Sequence, residues 1–353
     1  MSVDTAERPD VQERSPLLGT ELRVRRVIAE TAEAVSIEFE PDAAFEYEPG
    51  QYLTLRVPCA TVDGGAVGRS YSLSSSPHID SNLRITVKRV ADGVGSNWLC
   101  DNTEAGTVLR VLPPAGTFVL DRAAAGHLFF AAGSGITPVI SMLKSALART
   151  DAPLFLFYVN RAGDSVIFRE ELDALSAQYG DRLTIVHWLT GKRGRPGNTQ
   201  IAELLPKLSG EEVAYLCGPA PFAETVGEAL AGAGLTELRM RTEAFTSLTG
   251  DPFRLETAEV GDTAAISLTV DLDGDVESIA CPAETPLLDA MLAAGIDPPY
   301  SCREGTCGTC IAQLTEGKVE HRSCLALAPD EVEDGYILPC QAIARSTVVA
   351  VKF

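Results

Sequence analysis

The chain has 353 residues, a formal net charge of −20, a hydrophobic content of 45% and a mean hydropathy of +0.08. That length allows two or three domains with real cores, and no run approaches the ~20 apolar residues of a membrane-spanning helix. The charge argues against a nucleic-acid partner, because phosphate binding needs clustered Lys and Arg.

The opening "MSVDTAERPDVQERSPLLG" has no apolar leader stretch, which predicts a cytoplasmic protein with a mobile tail over residues 1–19. Residues 20–122 read as a small antiparallel β-barrel. The runs "LTLRV" (53–57), "SYSLS" (70–74), "LRITVKRV" (83–90) and "TVLRVLPP" (107–114) are β-rich and broken by Gly, Pro and Asp. One helical piece, "SNWLCD" (96–101), has Ser96 as its expected N-cap.

From residue 123 the rhythm changes. Continuous apolar strands at 128–133, 154–160, 183–189 and 213–218 alternate with amphipathic helices near 138–149, 167–179, 199–206 and 221–232. That alternation means an α/β domain with a parallel sheet covered on both faces, closed near residue 245 by "LRMRTEAF" (238–245). Residues 246–264 have no period and read as a linker. A hairpin, a helix at 285–295 and a final strand "VVAVKF" then predict a small α+β domain over 265–353. Sixteen acidic and five basic residues between Glu259 and Lys352 give this quarter a net −11, over half of the excess. Such a face steers a basic partner surface or serves solubility.

Nine cysteines, an odd number, argue against a disulfide framework in such a chain. Cys59, Cys100, Cys281 and Cys324 sit among apolar neighbours and read as small buried hydrophobes. The other pattern is specific. Cys302, Cys307 and Cys310 follow C-x4-C-x2-C, and Cys340 comes 29 intervening residues later in "ILPCQA". This is the plant-type spacing for a 2Fe-2S cluster, in which each of two irons takes two thiolates. Gly305 and Gly308 suit a loop that wraps an inorganic core and points amides inward. A structural zinc site also takes four cysteines. "LLDAMLAAGIDPPYSCREGTCGTC" with "GYILPCQ" resembles a plant-type ferredoxin, which implies a β-grasp fold over about the last 90 residues.

Two further motif groups precede it. "GRSYSLSS" (68–75) and "GVGSNWLCD" (93–101) pair an arginine and a tyrosine with a glycine loop at a helix start. A guanidinium clamps phosphate, an aromatic ring shields a planar group, and helix amides receive a diphosphate. "AAGSGITPVISML" (131–143) is a tight strand-to-helix turn with Thr137 as a candidate cap and Pro138 in the first turn, and "LCGPAPF" (216–222) ends a later strand.

Together these resemble the ferredoxin–NADP reductase family, in its branch of oxygenase reductases with a C-terminal ferredoxin; within it, the likeness is to reductases of 3-ketosteroid 9α-hydroxylases and then of phenylacetyl-CoA epoxidases. The resemblance implies that Arg69 holds the flavin pyrophosphate, Tyr71 packs on the isoalloxazine and Ser72 touches its central ring nitrogen. Ser70, Val87, Lys88, Gly93, Val94, Gly95, Ser96, Thr137 and Phe245 complete the implied FAD site. FAD is preferred to FMN because the second segment suits a diphosphate. Gly133, Ser134, Gly135, Ile136, Pro138, Asn160, Arg161, Cys217, Gly218 and Pro219 form the implied nicotinamide-nucleotide site, with Cys217 beside the nicotinamide and Glu243 contacting the flavin from that side. Ser72, Cys217 and Glu243 are the implied catalytic group.

The expected activity is electron transfer from NADH, in preference to NADPH, through FAD and the cluster to a terminal oxygenase outside this chain. The linker is expected to let the ferredoxin dock on the flavin edge and then on that partner. A reductase for a cytochrome P450 or an assembly pathway, and a redox sensor or carrier with a structural metal, are the alternatives.

Overall fold

The computed structural model describes residues 18–41, 45–59, 65–255 and 266–353. Most of the expected tail, and linker residues 256–264, lie outside the described residues. Among the described residues no helix is long and apolar enough to cross a membrane.

The first unit has strands β1 (Thr20–Thr31), β2 (Ala34–Phe39), β3 (Tyr52–Pro58), β4 (Ala66–Ser72), β5 (Arg84–Lys88) and β6 (Val108–Val111), with helix α1 (Val94–Asn102). Their order is β4-β3-β6-β1-β2-β5, and neighbours pair antiparallel. An isolated bridge between Leu73 and Ile85 joins the two edge strands and closes the sheet into a barrel. Alternate residues such as Leu53, Leu55 and Val57 point into its core.

The second unit runs β7 (His127–Ala132), α2 (Ile136–Arg149), β8 (Leu154–Asn160), α3 (Arg169–Gln178), β9 (Leu183–Leu189), α4 (Thr190–Arg193), α5 (Asn198–Ala202), β10 (Val213–Cys217), α6 (Ala220–Gly232) and β11 (Met240–Glu243). The sheet is parallel throughout, in the order β11-β10-β7-β8-β9. Alternate residues of one strand fall into opposite cores. Phe129 and Ala131 face one layer, Leu128 and Phe130 the other. This burial on both faces is why these strands read as continuous apolar runs. The chain winds outward from β7 on one side, then returns to β10 on the other, which opens a crevice at the carboxyl ends of β7 and β10.

The third unit has β12 (Ile266–Leu272), β13 (Asp275–Cys281), α7 (Leu287–Ala293), β14 (Ala312–Glu316), β15 (Val319–His321), α8 (Pro329–Glu333), β16 (Tyr336–Ile337), β17 (Ala342–Ala344) and β18 (Val348–Lys352). The mixed sheet β13-β12-β18-β14-β16 packs against α7, and β15 pairs with β17. The cysteine loop lies between α7 and β14.

Buried polar contacts join the first two units. Lys144, 2% exposed, sits between Asp80 at 2.6 Å and Glu171 at 2.8 Å, and Arg84 also reaches Glu171 at 2.9 Å. Ser141 donates to the Ser75 carbonyl at 2.6 Å.

The first half of the expected linker is packed. Residues 246–255 form a strap between barrel and third unit. Asp251 pairs with Arg56 at 3.1 Å, and Pro252 lies so close to Gly68 that a side chain there would overlap it. Phe253 is fully buried among Leu112 of the barrel and Leu288, Tyr300, Leu327 and Leu338 of the third unit. Leu18, expected in a mobile tail, donates its N–H to the Phe253 carbonyl at 2.9 Å. The cysteine loop grips the strap from its own side. Glu304 accepts from the N–H of Thr249 (2.7 Å), the N–H of Gly250 (2.8 Å) and the Thr249 hydroxyl (2.8 Å). Arg303 pairs with Asp289 and donates to the carbonyls of Pro252 and Arg254. The apolar Phe253 and these contacts were hidden in a segment whose composition alone suggests a tether.

Candidate functional site

Three cavities lie in series along the seams between the units. The first, about 450 Å³, is bounded by Arg69, Ser70, Tyr71, Ser72, Thr86 and Lys88 of the barrel, the 90–96 segment, and Ser134, Thr137 and Phe245. Its floor is built by strand alternation. Thr86 and Lys88 face the cleft, so Val87 between them turns into the barrel core and is fully buried. On this stretch the side chain that borders the cleft beside Lys88 is that of Thr86.

Past β5 the chain turns sharply, with Asp92 at φ +59°, and enters α1. Gly93 precedes the helix, and Ser96 lies inside its first turn. The N-cap assignment for Ser96 is therefore corrected: its hydroxyl accepts from the Val90 N–H at 3.1 Å and pins the turn. Gly95 is a cradle that a side chain would fill, since a Cβ there would stand 2.7 Å from Arg69 Cγ and 3.3 Å from the Tyr71 hydroxyl. Arg69 Nη1 donates to the carbonyls of Gly68 (2.6 Å) and Leu248 (3.0 Å). The guanidinium carries five N–H donors in all. Burial raises the Tyr71 phenol well above its ordinary range. A closed glycine turn, helix-start amides and an arginine beside an aromatic wall fit a flavin diphosphate.

The second cavity, also about 450 Å³, shares Lys88, Ser134 and Phe245 with the first. Gly133, Gly135, Asn160, Arg161, Gly218 and Pro219 line it at the sheet crevice. Gly133 takes φ +56°, and a Cβ on Gly135 would overlap the Cys217 carbonyl oxygen, so this turn tolerates only glycine. The residues 133–135 make a short 3-10 turn before α2. Thr137 therefore sits within α2 rather than capping it, and its hydroxyl donates to the Ser134 carbonyl at 3.0 Å. Ile136 and Pro138 are buried in the core beneath the turn. Cys217 is fully buried and its side chain lines none of the three cavities, while its successors Gly218 and Pro219 do. Cys217 stands opposite Glu243 in the β10–β11 register. Burial first, and Glu243 second, push its thiol well up.

The third cavity, about 230 Å³, shares Ser70, Ser72, Phe245 and Thr246 with the first and ends on Cys302, Thr306 and Cys307. Tyr52, Phe118, Glu243 and Leu248 complete its walls. Burial pushes the Glu243 carboxyl up to about 8. Phe245, 53% exposed, is the one side chain common to all three linings. Sequence patterns passed over Tyr52, Thr86 and Thr306; alternation with Val87 and proximity to the cysteine motif were the signals available for the latter two.

The four cysteines of the spaced motif come together from a loop and the chain before β17. Cys302, Cys310 and Cys340 are buried and Cys307 is half-buried. They fall into two pairs: hydrogen bonding with Cys307 pulls the Cys302 thiol down, and hydrogen bonding with Cys340 does the same for Cys310. Two pairs of thiols are the donor set that two irons require. Gly305 (φ +74°) leaves no room for a side chain, since a Cβ would stand 2.7 Å from the Ser323 carbonyl oxygen. The Glu304 N–H points to Cys302 Sγ at 3.4 Å.

Comparison with known proteins follows the same partition. The pattern of the oxidoreductase FAD-binding domain matches residues 20–120, that of the oxidoreductase NAD-binding domain 129–228, and that of the 2Fe-2S iron-sulfur cluster binding domain 270–345. The "3-ketosteroid-9-alpha-monooxygenase, ferredoxin reductase component" of Rhodococcus rhodochrous is 48% identical over 340 residues, covering 94% of this chain and 96% of the relative. The protein of the same description in Mycobacterium tuberculosis is 42% identical over 344 residues, covering 94% and 95%. A component of the 1,2-phenylacetyl-CoA epoxidase of Escherichia coli is 30% identical over 351 residues, covering 94% and 97%. Among solved structures, phthalate dioxygenase reductase superposes with a TM-score of 0.57 at 26% identity, covering 95% of this chain and 98% of that one. The chain thus belongs to the reductase components of multicomponent oxygenases, in which FAD-binding barrel, NAD-binding sheet and C-terminal 2Fe-2S ferredoxin domain follow one another.

Proposed function

We propose that this protein withdraws electrons from NADH and delivers them singly to the terminal oxygenase of a 3-ketosteroid 9α-hydroxylase system. The observation that carries the electron-transfer reading is the serial sharing of walls: Phe245 and Lys88 border both nucleotide and flavin cavities, and Ser70 and Ser72 border both the flavin cavity and the cysteine loop. The steroid assignment rests on the relatives from Rhodococcus rhodochrous and Mycobacterium tuberculosis. Bound flavin supplies the conversion of an electron pair into single electrons, and the cluster supplies a one-electron exit.

The residues divide the remaining work. Arg69, the amides at 94–96 and Ser96 hold the diphosphate. Tyr71 shields one face of the ring system, and Ser70, Ser72, Lys88, Gly93, Val94, Gly95 and Thr137 shape the rest. Gly133, Ser134 and Gly135 admit the dinucleotide backbone, with Asn160 and Arg161 toward its adenosine end and Gly218 and Pro219 at its nicotinamide end. Phe245 occupies the junction and must yield to an incoming nicotinamide. Cys217 and Glu243 support that junction from beneath, with Glu243 kept protonated at neutral pH by burial. Cys302, Cys307, Cys310 and Cys340 ligate the cluster. The acidic ferredoxin domain steers the partner.

The test is reconstitution with the oxygenase component of the Rhodococcus rhodochrous system. The reading predicts 9α-hydroxylation of a 3-ketosteroid coupled to NADH oxidation, with kcat/KM for NADH above that for NADPH. Productive coupling to the Escherichia coli phenylacetyl-CoA epoxidase instead would transfer the assignment to that system.

A further inference from the structure

We propose that Thr54 is a positioning residue that sets the cysteine loop against the flavin domain and thereby governs the rate of electron transfer from flavin to cluster. Thr54 lies in β3 and is fully buried. Its hydroxyl stands 3.0 Å from the Ser70 hydroxyl and 3.0 Å from the Ser301 hydroxyl. Ser70 is its cross-strand partner in the barrel and borders both the flavin cavity and the cavity leading to the cysteines. Ser301, 1% exposed, immediately precedes Cys302. Three hydroxyls thus run in a line from the flavin-side wall to the first cluster ligand, across 247 positions of sequence.

The residue type suits the task. A hydroxyl gives one donor and two acceptors, so one group serves both neighbours. A β-branched side chain is stiff at χ1, and the β3–β4 register fixes its direction. Tyr52, two residues earlier on the same strand, borders the cavity that ends on Cys302 and Cys307. The strap ties the loop to the barrel indirectly, through Glu304 and Arg303, whereas the Thr54 hydroxyl bonds from the barrel itself to the residue before Cys302. Each NADH supplies two electrons, which leave in two single transfers to two equivalents of a one-electron acceptor. The efficiency of each transfer falls steeply with added separation, so the loop's seating is the quantity Thr54 controls.

The inference rests on the family assignment and not on which oxygenase is the partner, so a failed reconstitution with the steroid system leaves it standing. The test uses the full chain carrying FAD and cluster. Thr54→Val keeps the shape and removes the hydroxyl; Thr54→Ser restores it. Stopped-flow absorbance separates flavin bleaching by NADH from cluster bleaching, ferricyanide accepts at the flavin, and cytochrome c accepts from the cluster. Deuterium exchange of amides 301–306 reports the seating of the loop independently of turnover.

In Thr54→Val, cluster bleaching and cytochrome c reduction are expected to slow about fivefold or more, the scale of one buried hydrogen bond lost. Flavin bleaching and ferricyanide reduction stay within about twofold, exchange at 301–306 accelerates, and the cluster midpoint potential is unchanged. Thr54→Ser returns the transfer rate. Unaltered transfer in Thr54→Val would overturn the proposal, as would slowing that Thr54→Ser fails to rescue or that ferricyanide reduction shares. If Thr54→Val does not fold, Ser301→Ala probes the same bond from the loop: equal transfer at full iron content refutes the role, and slowed transfer at full iron content supports it.

Discussion

Phe253→Ala tests whether the segment before the ferredoxin domain is a strap or a tether. Phe253 is fully buried and packs with Leu112 from the barrel and with Leu288, Tyr300, Leu327 and Leu338 from the ferredoxin domain, beside Cys310 and Cys340 of the cysteine motif. Truncating a buried Phe to Ala costs about 3–5 kcal/mol. The loss falls on the seam and on the ferredoxin side of it, because six of the seven named neighbours belong to that domain or its cluster loop. At an m-value of about 2 kcal/mol/M, the urea midpoint followed by iron–sulfur absorbance falls by about 2 M. Flavin fluorescence, which follows the barrel, moves much less. Phe253→Leu, which keeps most of the volume, loses about a third as much or less. A shift below about 0.5 M in the iron–sulfur transition, or an equal shift in both probes, refutes the argument that this residue welds the ferredoxin domain in place.

Gly135→Ala places a methyl on the Cys217 carbonyl oxygen; reduction of flavin by NADH is expected to fall at least about tenfold while FAD content stays near one per chain. Cys307→Ser leaves three thiolates for two irons; the iron–sulfur shoulder and cytochrome c reduction should vanish while ferricyanide reduction from the flavin persists, and equal loss of both in a folded variant defeats the serial arrangement. The Glu243 carboxyl, raised from 4.5 to about 8 by burial, binds more protons folded than unfolded between those values, so its contribution to stability is full below pH 4.5 and is lost as pH rises toward 8. Glu243→Gln should flatten that part of the thermal midpoint against pH, and an unchanged slope contradicts the buried, neutral carboxyl.

Legibility in the sequence followed burial. Strand β8 occupies the apolar run read at 154–160 because burial on both faces leaves it uninterrupted, and β9 occupies 183–189 at the sheet edge, half-buried along most of its length with Thr184 exposed. The barrel was legible as a class, but β1, "TELRVRRVIAET", alternates apolar residues with exposed charges and bulges between Val24 and Arg26, so its bounds were not. The caps failed for a local reason. Ser96 and Thr137 are good N-cap types, yet a glycine turn precedes each helix and puts the cap at Gly93, three residues before Ser96, and at Gly135, two residues before Thr137. Val87 sat inside a matching segment, but strand alternation gives its direction to the core. The packing of the segment 246–255 was not legible, because turn-forming composition says nothing about what the turns pack against.

Cysteine spacing, the paired glycines and the R-x-Y-S run are properties of the covalent chain, since a cluster loop, a phosphate turn or a flavin wall is built from residues a few positions apart. Those the amino-acid order determined alone. The seating of one unit on another depends on pairs such as Thr54 and Ser301, or Leu112 and Phe253. Such pairs meet only after three cores have formed and excluded water between them, so the path from flavin wall to cluster was decided by tertiary packing.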